Sequence, residues 1–277
     1  MKTLKKVVRD HRNGCFLAGC IITGVLLALI LLGAVWTPYD PAAMSGSEKL
    51  MGPSFAHLFG TDNFGRDIFS RVLKGAGVTA LVAAGTVVIG AVCGTLIGAL
   101  TGYFGGAVDE LLMRFNDTIT AFPSILLALL CVTVFGSGKY QVLLVLGIVF
   151  IPSFARIART AFSSLRDANF VQSARLMGAK PARILFVHIL PNTLHVLLPA
   201  VTIGFNNAVL AEASMSFLGL YGQPPDASLG ALLSEAQGML ASAPWYALCS
   251  GGVLVGLIFG VGLIGEGLQD GKGERNA

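Results

Sequence analysis

Six long apolar runs leave this chain few ways to fold; they cover about 15–36, 78–101, 115–135, 141–161, 193–213 and 245–265. Each is close to the ~20 residues that an α-helix needs to cross the hydrocarbon core of a bilayer. Lipid offers no partner for a backbone N–H or C=O, so a run of this length closes its own hydrogen bonds as a helix. Composition points the same way, with 54% hydrophobic residues, 12% charged residues and a mean hydropathy of +0.75. A soluble globular chain is thereby excluded. The fold class expected is an all-α integral membrane protein with six transmembrane helices.

The polar remainder sets the orientation. Lys2, Lys5, Lys6, Arg9 and Arg12 precede the first apolar run, in the order of a secretory signal. That run is too long for a signal's apolar core and has no small-x-small cleavage site, so a retained span is expected. Trp36 and Tyr39 suit the aromatic belt at its far end. With the N-terminus inside, 14 of the 19 Lys and Arg residues fall on the inner side and 5 on the outer. The reverse orientation would invert that ratio, against the positive-inside rule. The division expected is a cytoplasmic N-terminus 1–14, a first transmembrane helix 15–36 and an extracytoplasmic segment 37–77. A five-helix core 78–268 with an inner loop 162–192 comes next, and then a cytoplasmic tail 269–277. Both termini are then cytoplasmic in a multi-pass protein of the plasma (inner) membrane. Cys15, Cys20, Cys93, Cys131 and Cys249 all lie in the apolar runs without metal-ligand spacing, and read as small apolar groups.

One stretch breaks the apolar pattern on the inner side: Asn169–Asn192, NFVQSARLMGAKPARILFVHILPN. Asn169 with Gln172 reads as a capping box that starts a helix. Phe170, Ala174 and Met177 then fall at i, i+4 and i+7, on one face. Gly178 supplies a left-handed residue that ends this helix, and Pro181 suits the first turn of another. Pro191 is expected to close the second helix, with Asn192 as the cap of the fifth span. The product is a helical elbow outside the bilayer, with a small apolar face flanked by Arg175, Lys180 and Arg183, suited to a groove on a soluble partner.

Here a resemblance becomes specific. The stretch resembles the cytoplasmic loop of binding-protein-dependent ABC importer permeases: Glu-Ala-Ala, three residues, Gly, nine residues, then Ile-x-Leu-Pro. Gln172-Ser173-Ala174 stands for the Glu-Ala-Ala, Gly178 is in register, and His188-Ile189-Leu190-Pro191 ends it. Asn192 completes the HILPN ending of the dipeptide, oligopeptide and nickel branch. Gln172 for Glu and Ser173 for Ala are departures; Gln keeps the capping role and loses the charge. Gly60-Thr61-Asp62, Gly65-Arg66-Asp67 and Ser70-Arg71 resemble the same branch after its first span, and Glu212-Ala213-Ser214 through Leu220 resembles the end of its fifth. Read without the resemblance, the 57–76 block is an internally salt-bridged turn, with Arg66 or Arg71 on Asp62 or Asp67.

Glycine and polar residues inside the spans add further expectations. Gly90, Gly94, Gly98 and Gly102 form a single stripe at i, i+4 spacing, as do Gly252, Gly256 and Gly260; such stripes let another helix approach closely. Asn206, Asn207 and Glu212 are polar groups in or near the fifth run, candidates for a translocation path or for interhelical hydrogen bonds. Gly136-Ser137-Gly138-Lys139 fails as a phosphate loop, since Thr133 and Tyr140 stand where Gly and Ser or Thr are required. It reads as a turn between spans. His11, His57, His188 and His195 compose no metal or acid–base cluster, and no catalytic residue is proposed.

The resemblance implies the type I ABC importer permease fold in its second, C-type version. It implies pairing with a second homologous permease, cytosolic ABC ATPase subunits that bind the ATP and Mg, and an extracytoplasmic substrate-binding protein. Phe170, Gln172, Ser173, Ala174, Arg175, Met177, Gly178, Ala179 and Arg183 are then the residues that couple to the ATPase. The cargo would be di- or oligopeptides, with nickel or a metal chelate as the alternative. An ATP-independent secondary transporter would instead be expected to show internal repeats and intramembrane ion pairs, and a membrane enzyme a metal or acid–base cluster. Neither pattern is visible, and nucleic acid is not an expected partner.

Overall fold

The computed structural model describes residues 2–136, 138–220 and 228–270. Ser137, the Pro224–Pro225 pair and the tail 271–277 lie outside the described residues, as do the side chains of the N-terminal bases. Helices α1 (Lys2–Val35), α2 (Ile68–Phe104), α5 (Lys139–Leu165), α8 (Leu190–Phe217) and α10 (Pro244–Asp270) carry the long apolar runs. Among the described residues, five segments are long and apolar enough to cross a membrane, and a sixth is counted if the bent pair α3 (Gly106–Thr120) and α4 (Ser124–Phe135) is one span.

That pair is where the sequence pattern misleads most. A span over about 115–135, with Pro123 near its start, is expected after a short loop over 102–114. The structure instead continues α2 to Phe104, turns at Gly105 and Gly106 (φ +64° and +54°), and starts α3 at once. The chain then bends by 83° at Ala121–Pro123. Proline has no N–H to give and disfavours helix at the residue before it, which makes Pro123 the place where the run breaks.

Helical structure also begins ahead of the second apolar run, inside the segment 37–77. Helix α2 starts at Ile68, because the Asp67 side chain accepts the Ser70 N–H at 2.8 Å and caps it. The preceding residues 36–67 fold tightly, with an isolated antiparallel bridge between Thr61 and Asp67.

Helices α2 and α5 form the closest contact of the core, through the first glycine stripe. A Cβ at Gly94 would lie 2.6 Å from the Phe154 Cβ, and one at Gly98 would lie 2.5 Å from the Ala155 carbonyl oxygen. Gly90 faces Phe150 and Gly102 faces Phe162 in the same way. The second stripe is used unevenly. A Cβ at Gly260 would lie 2.7 Å from Thr23 Oγ1 on α1, whereas Gly256 meets Leu26 only at 3.4 Å and Gly252 has nothing within 4 Å. Gly252 is therefore not a packing glycine within this chain. Equal spacing in sequence does not tell which faces of a helix have a neighbour. Helix α1 packs mainly on α10, and Leu17, Ile21 and Leu31 on its other face are exposed, as lipid-facing residues are.

Candidate functional site

On the side of the α5 end and the chain's middle loop, α6 (Asn169–Leu176), α7 (Pro181–Arg183) and a π-helical stretch (Ile184–Ile189) lead into α8. Helix α6 ends as expected. Gly178 has φ +78°, Gly178 N–H donates to the Arg175 carbonyl at 2.9 Å, and Ala179 N–H donates to the Ala174 carbonyl at 3.0 Å. This is the Schellman arrangement, which satisfies the last carbonyls of the helix. Pro181 stands in the first turn of α7.

Three details of the elbow differ from the sequence reading. Asn169 is not the cap: Ala168 holds that position without a side-chain bond, and the Gln172 amide donates back to the Asp167 carbonyl at 2.8 Å. Pro191 does not end the second helix, which runs on without a break from Pro181 to Phe217. A π turn opens the helix just ahead of the proline, where the ring would otherwise collide with the carbonyl four residues back. Asn192 accordingly caps nothing and donates to the His188 carbonyl at 2.7 Å.

The third difference is the face. Ala174 is buried together with Val171, Ile184, Leu185 and Ile189 against Phe162 and Tyr103. Phe170, Ala174 and Met177 thus do not share an outward face. Ala174 lies on the face that α6 turns inward, beside Val171. The exposed large apolar residues of α6 and its C-cap are Phe170, Leu176 and Met177, at 40%, 90% and 80% exposure; Phe186 and Val187 are exposed on the π-helical stretch. Leu176 has no place in the i, i+4, i+7 reading, although its position two residues before the glycine break could have flagged it. Gln172, Ser173 and Arg183 are exposed, and Ala179 is half-buried. Arg175 is exposed yet engaged, its guanidinium 5.0 Å from the centre of the Tyr103 ring. Nearby, Arg159 of α5 grips Asp109 of α3 through both carboxylate oxygens, at 2.5 and 2.6 Å.

Deeper in the bundle a groove of about 420 Å³ runs along α4, α5 and α8. Its walls are mostly apolar (Phe150, Phe154, Ile157), with Ser124, Ser153, Asn207 and Ser214 as the polar groups. The polar candidates of the fifth run separate here. Asn207 lines the groove. Asn206 turns towards α10, where a Cβ at Gly262 would meet its Nδ2 at 3.2 Å, and its Oδ1 has no partner. Glu212 is fully buried between α2, α8 and the start of α9 (Leu229–Gln237). With 3.6 residues per turn, positions 206, 207 and 212 point in three different directions around α8.

At the end of the bundle away from the elbow, an ionic cluster ties the segment 36–67 to α2, α9 and α10. Buried Asp62 accepts from Arg66 Nε at 2.6 Å and Arg71 at 2.8 Å. Glu235 of α9 accepts from Arg71 at 2.7 and 2.9 Å, Arg66 at 3.0 Å and the Tyr246 hydroxyl at 3.0 Å. Burial pushes the Glu235 carboxyl up, but the Arg71 hydrogen bonds and the charges of Arg71 and Arg66 outweigh it and hold it below the usual carboxylate range. Asp67 pairs instead with His57, at 2.9 Å. The salt-bridged turn of the sequence reading is present, with Glu235 as the partner that local sequence could not supply.

Comparison with known proteins agrees with this architecture. The family profile described as "Binding-protein-dependent transport system inner membrane component" matches residues 94–266. The dipeptide transport system permease protein DppC of Alkalihalophilus pseudofirmus is 38% identical over 259 residues, covering 94% of this chain and 85% of that protein. The glutathione transport system permease protein GsiD of Escherichia coli is 41% identical over 248 residues, covering 89% of this chain and 82% of its own. Among solved structures, the MetNI methionine ABC transporter in an inward-facing conformation aligns with a TM-score of 0.55 at 20% identity, over 70% of this chain and 90% of that one. That last likeness carries the fold. A bundle of membrane-crossing helices, an elbow on one side and a match that spans the core lead to one assignment: the chain belongs to the family of binding-protein-dependent transport system inner membrane components, the permease subunits of ABC importers.

Proposed function

We propose that this chain is the C-type permease of an ATP-driven peptide importer. The observation that carries the reading is the similarity to peptide permeases along nearly the whole chain, 94% of it for the dipeptide permease. The cargo named for the second relative, glutathione, is again a peptide. A second permease completes the path: Asn207, Ser153, Ser124 and Ser214, the polar lining of the groove along α4, α5 and α8, are all exposed in this chain alone. Asn206 and Glu212 act in helix packing rather than on this wall.

In this reading α3 and α4 together make the sixth crossing, the termini and the elbow are cytoplasmic, and an external binding protein delivers the peptide. Phe170, Leu176 and Met177 enter a groove of the ATPase subunit, with Gln172, Ser173, Arg175 and Arg183 around them and Gly178 and Ala179 forming the break. Ala174 holds the elbow onto the bundle from beneath. ATP and Mg bind to the ATPase pair; its closure pulls the elbow, and the single helix from Pro181 to Phe217 carries the movement to the groove wall. A permease of this kind does no chemistry on its cargo.

The test is uptake of a labelled dipeptide and of labelled nickel, side by side, in cells with and without the chain. Selective loss of peptide uptake is expected. Selective loss of nickel uptake would overturn the cargo and keep the permease, and loss of neither would overturn both.

A further inference from the structure

Glu212 is fully buried in α8, yet its surroundings are not those of an ion pair. Ser216 Oγ, one turn on, donates to Oε1 at 2.6 Å, while Oε2 has no hydrogen-bond partner. The hydroxyls of Thr79 on α2 and Ser228, the N-cap of α9, flank the same carboxylate. Both hydroxyl oxygens already accept N–H groups from the first turn of α9: Thr79 from Leu229 at 3.2 Å and Ser228 from Ala231 at 3.3 Å. A hydroxyl engaged in that way has its proton free to turn elsewhere, and Glu212 is the acceptor beside it. Among the described residues no basic side chain pairs with Glu212. The Ser216 hydroxyl bonds Oε1, and the rotatable hydroxyls of Thr79 and Ser228 and the positive end of the nine-residue helix α9 lie beside the carboxyl without pairing Oε2.

The backbone around this carboxylate is packed closely. A Cβ at Gly75 of α2 would meet the Ser228 carbonyl carbon at 3.2 Å, and one at Gly230 would run into the backbone of Ala213. Helix α9 is therefore wedged between α2 and α8 at its start, and gripped at its end by Glu235 on Arg66 and Arg71. The unpaired Oε2 is a standing cost of this closed arrangement, and contact with water removes it.

We propose that Glu212 is a positioning residue that latches α9 against α2 and α8, and that release of this latch accompanies opening of the external face during transport. The proposal rests on the permease reading above. The latch sits on α8, which also carries Asn207 in the groove wall, so one displacement of α8 shifts the groove and the latch together. Glutamine at 212 keeps the size and replaces one acceptor by an amide donor facing hydroxyl donors.

The experiment uses the assembled transporter with its native cysteines replaced and Ala236→Cys introduced on the buried face of α9. A membrane-impermeant maleimide reports the exposure of that position, with and without ATP plus vanadate. The parent is expected to label slowly without nucleotide and about tenfold faster with it, and Glu212→Gln to label fast in both states. Ser228→Ala, which removes one donor and keeps the carboxylate, carries the same expectation and serves if Glu212→Gln does not assemble. Slow labelling of these variants without nucleotide, equal to the parent, overturns the latch; so does a parent whose labelling ignores nucleotide. Co-purification of ATPase subunits with the parent is scored separately, and its absence counts against the permease reading instead.

Discussion

At the scale of single residues, conformation and charge decide more than size. Gly178 has φ +78° and nothing within 4 Å of where a Cβ would stand, so a substitution there is resisted by the backbone alone. Gly178→Val should abolish transport while leaving membrane insertion intact, at a strain cost of about 1–2 kcal/mol; Gly178→Asn, which tolerates that conformation, should retain part of the activity. Uptake at matched membrane levels checks both. This position was legible in sequence, because a helix followed by Gly and then Pro shortly beyond has few other readings. Asp62 was half legible: its local partners lie within ten residues, while Glu235 lies more than 160 residues away from the arginines it shares. Asp62→Ala leaves Arg66 and Arg71 short of a buried counter-charge and should destabilise this end of the bundle by about 3–5 kcal/mol. Acid tells the same story with a sign. The Glu235 carboxyl is held below 4.5 in the folded protein, so its contribution is complete above that value and is lost only as pH falls through the lower, folded value. Thermal stability of the solubilised complex should therefore lose nothing through Glu235 between about pH 5 and 8, and fall only in stronger acid.

At the scale of elements, the seam between α2 and α5 is the rigid member. Gly98→Leu would drive a side chain into the Ala155 carbonyl and the Ala158 methyl, both within 2.6 Å of the added Cβ. Overpacking of this kind forces the helices apart at about 1–3 kcal/mol or more, and loss of the chain from the membrane fraction is the expected outcome. Gly252→Leu, with open space in front of it, should be tolerated in the isolated chain. The contrast between these stripes was invisible in the sequence, which carries the spacing and not the neighbour. The bend between α3 and α4 was hidden for a related reason. A proline near the start of an apolar run kinks, breaks or merely begins a helix, and only the packing around it selects among these. Ala174 fell on the wrong side because a three-point periodicity cannot separate adjacent arcs of a helix only eight residues long.

At the scale of the whole molecule, the positions of the apolar runs gave the membrane class and most of the crossings, since lipid permits so little else. The groove did not emerge from the runs, because its wall joins the neighbours α4 and α5 to α8, and the runs do not tell which faces of these helices meet. The π-helical stretch Ile184–Ile189 has a mechanical meaning at this scale: it joins the elbow to the groove wall and stands directly ahead of Pro191. A π turn holds about one residue more than an α turn over a similar advance along the axis. The shaft between elbow and groove thus stores a residue of slack. Tightening that turn would twist the elbow about the shaft without bending it, so a pull from below can reach the groove as torsion as well as tilt.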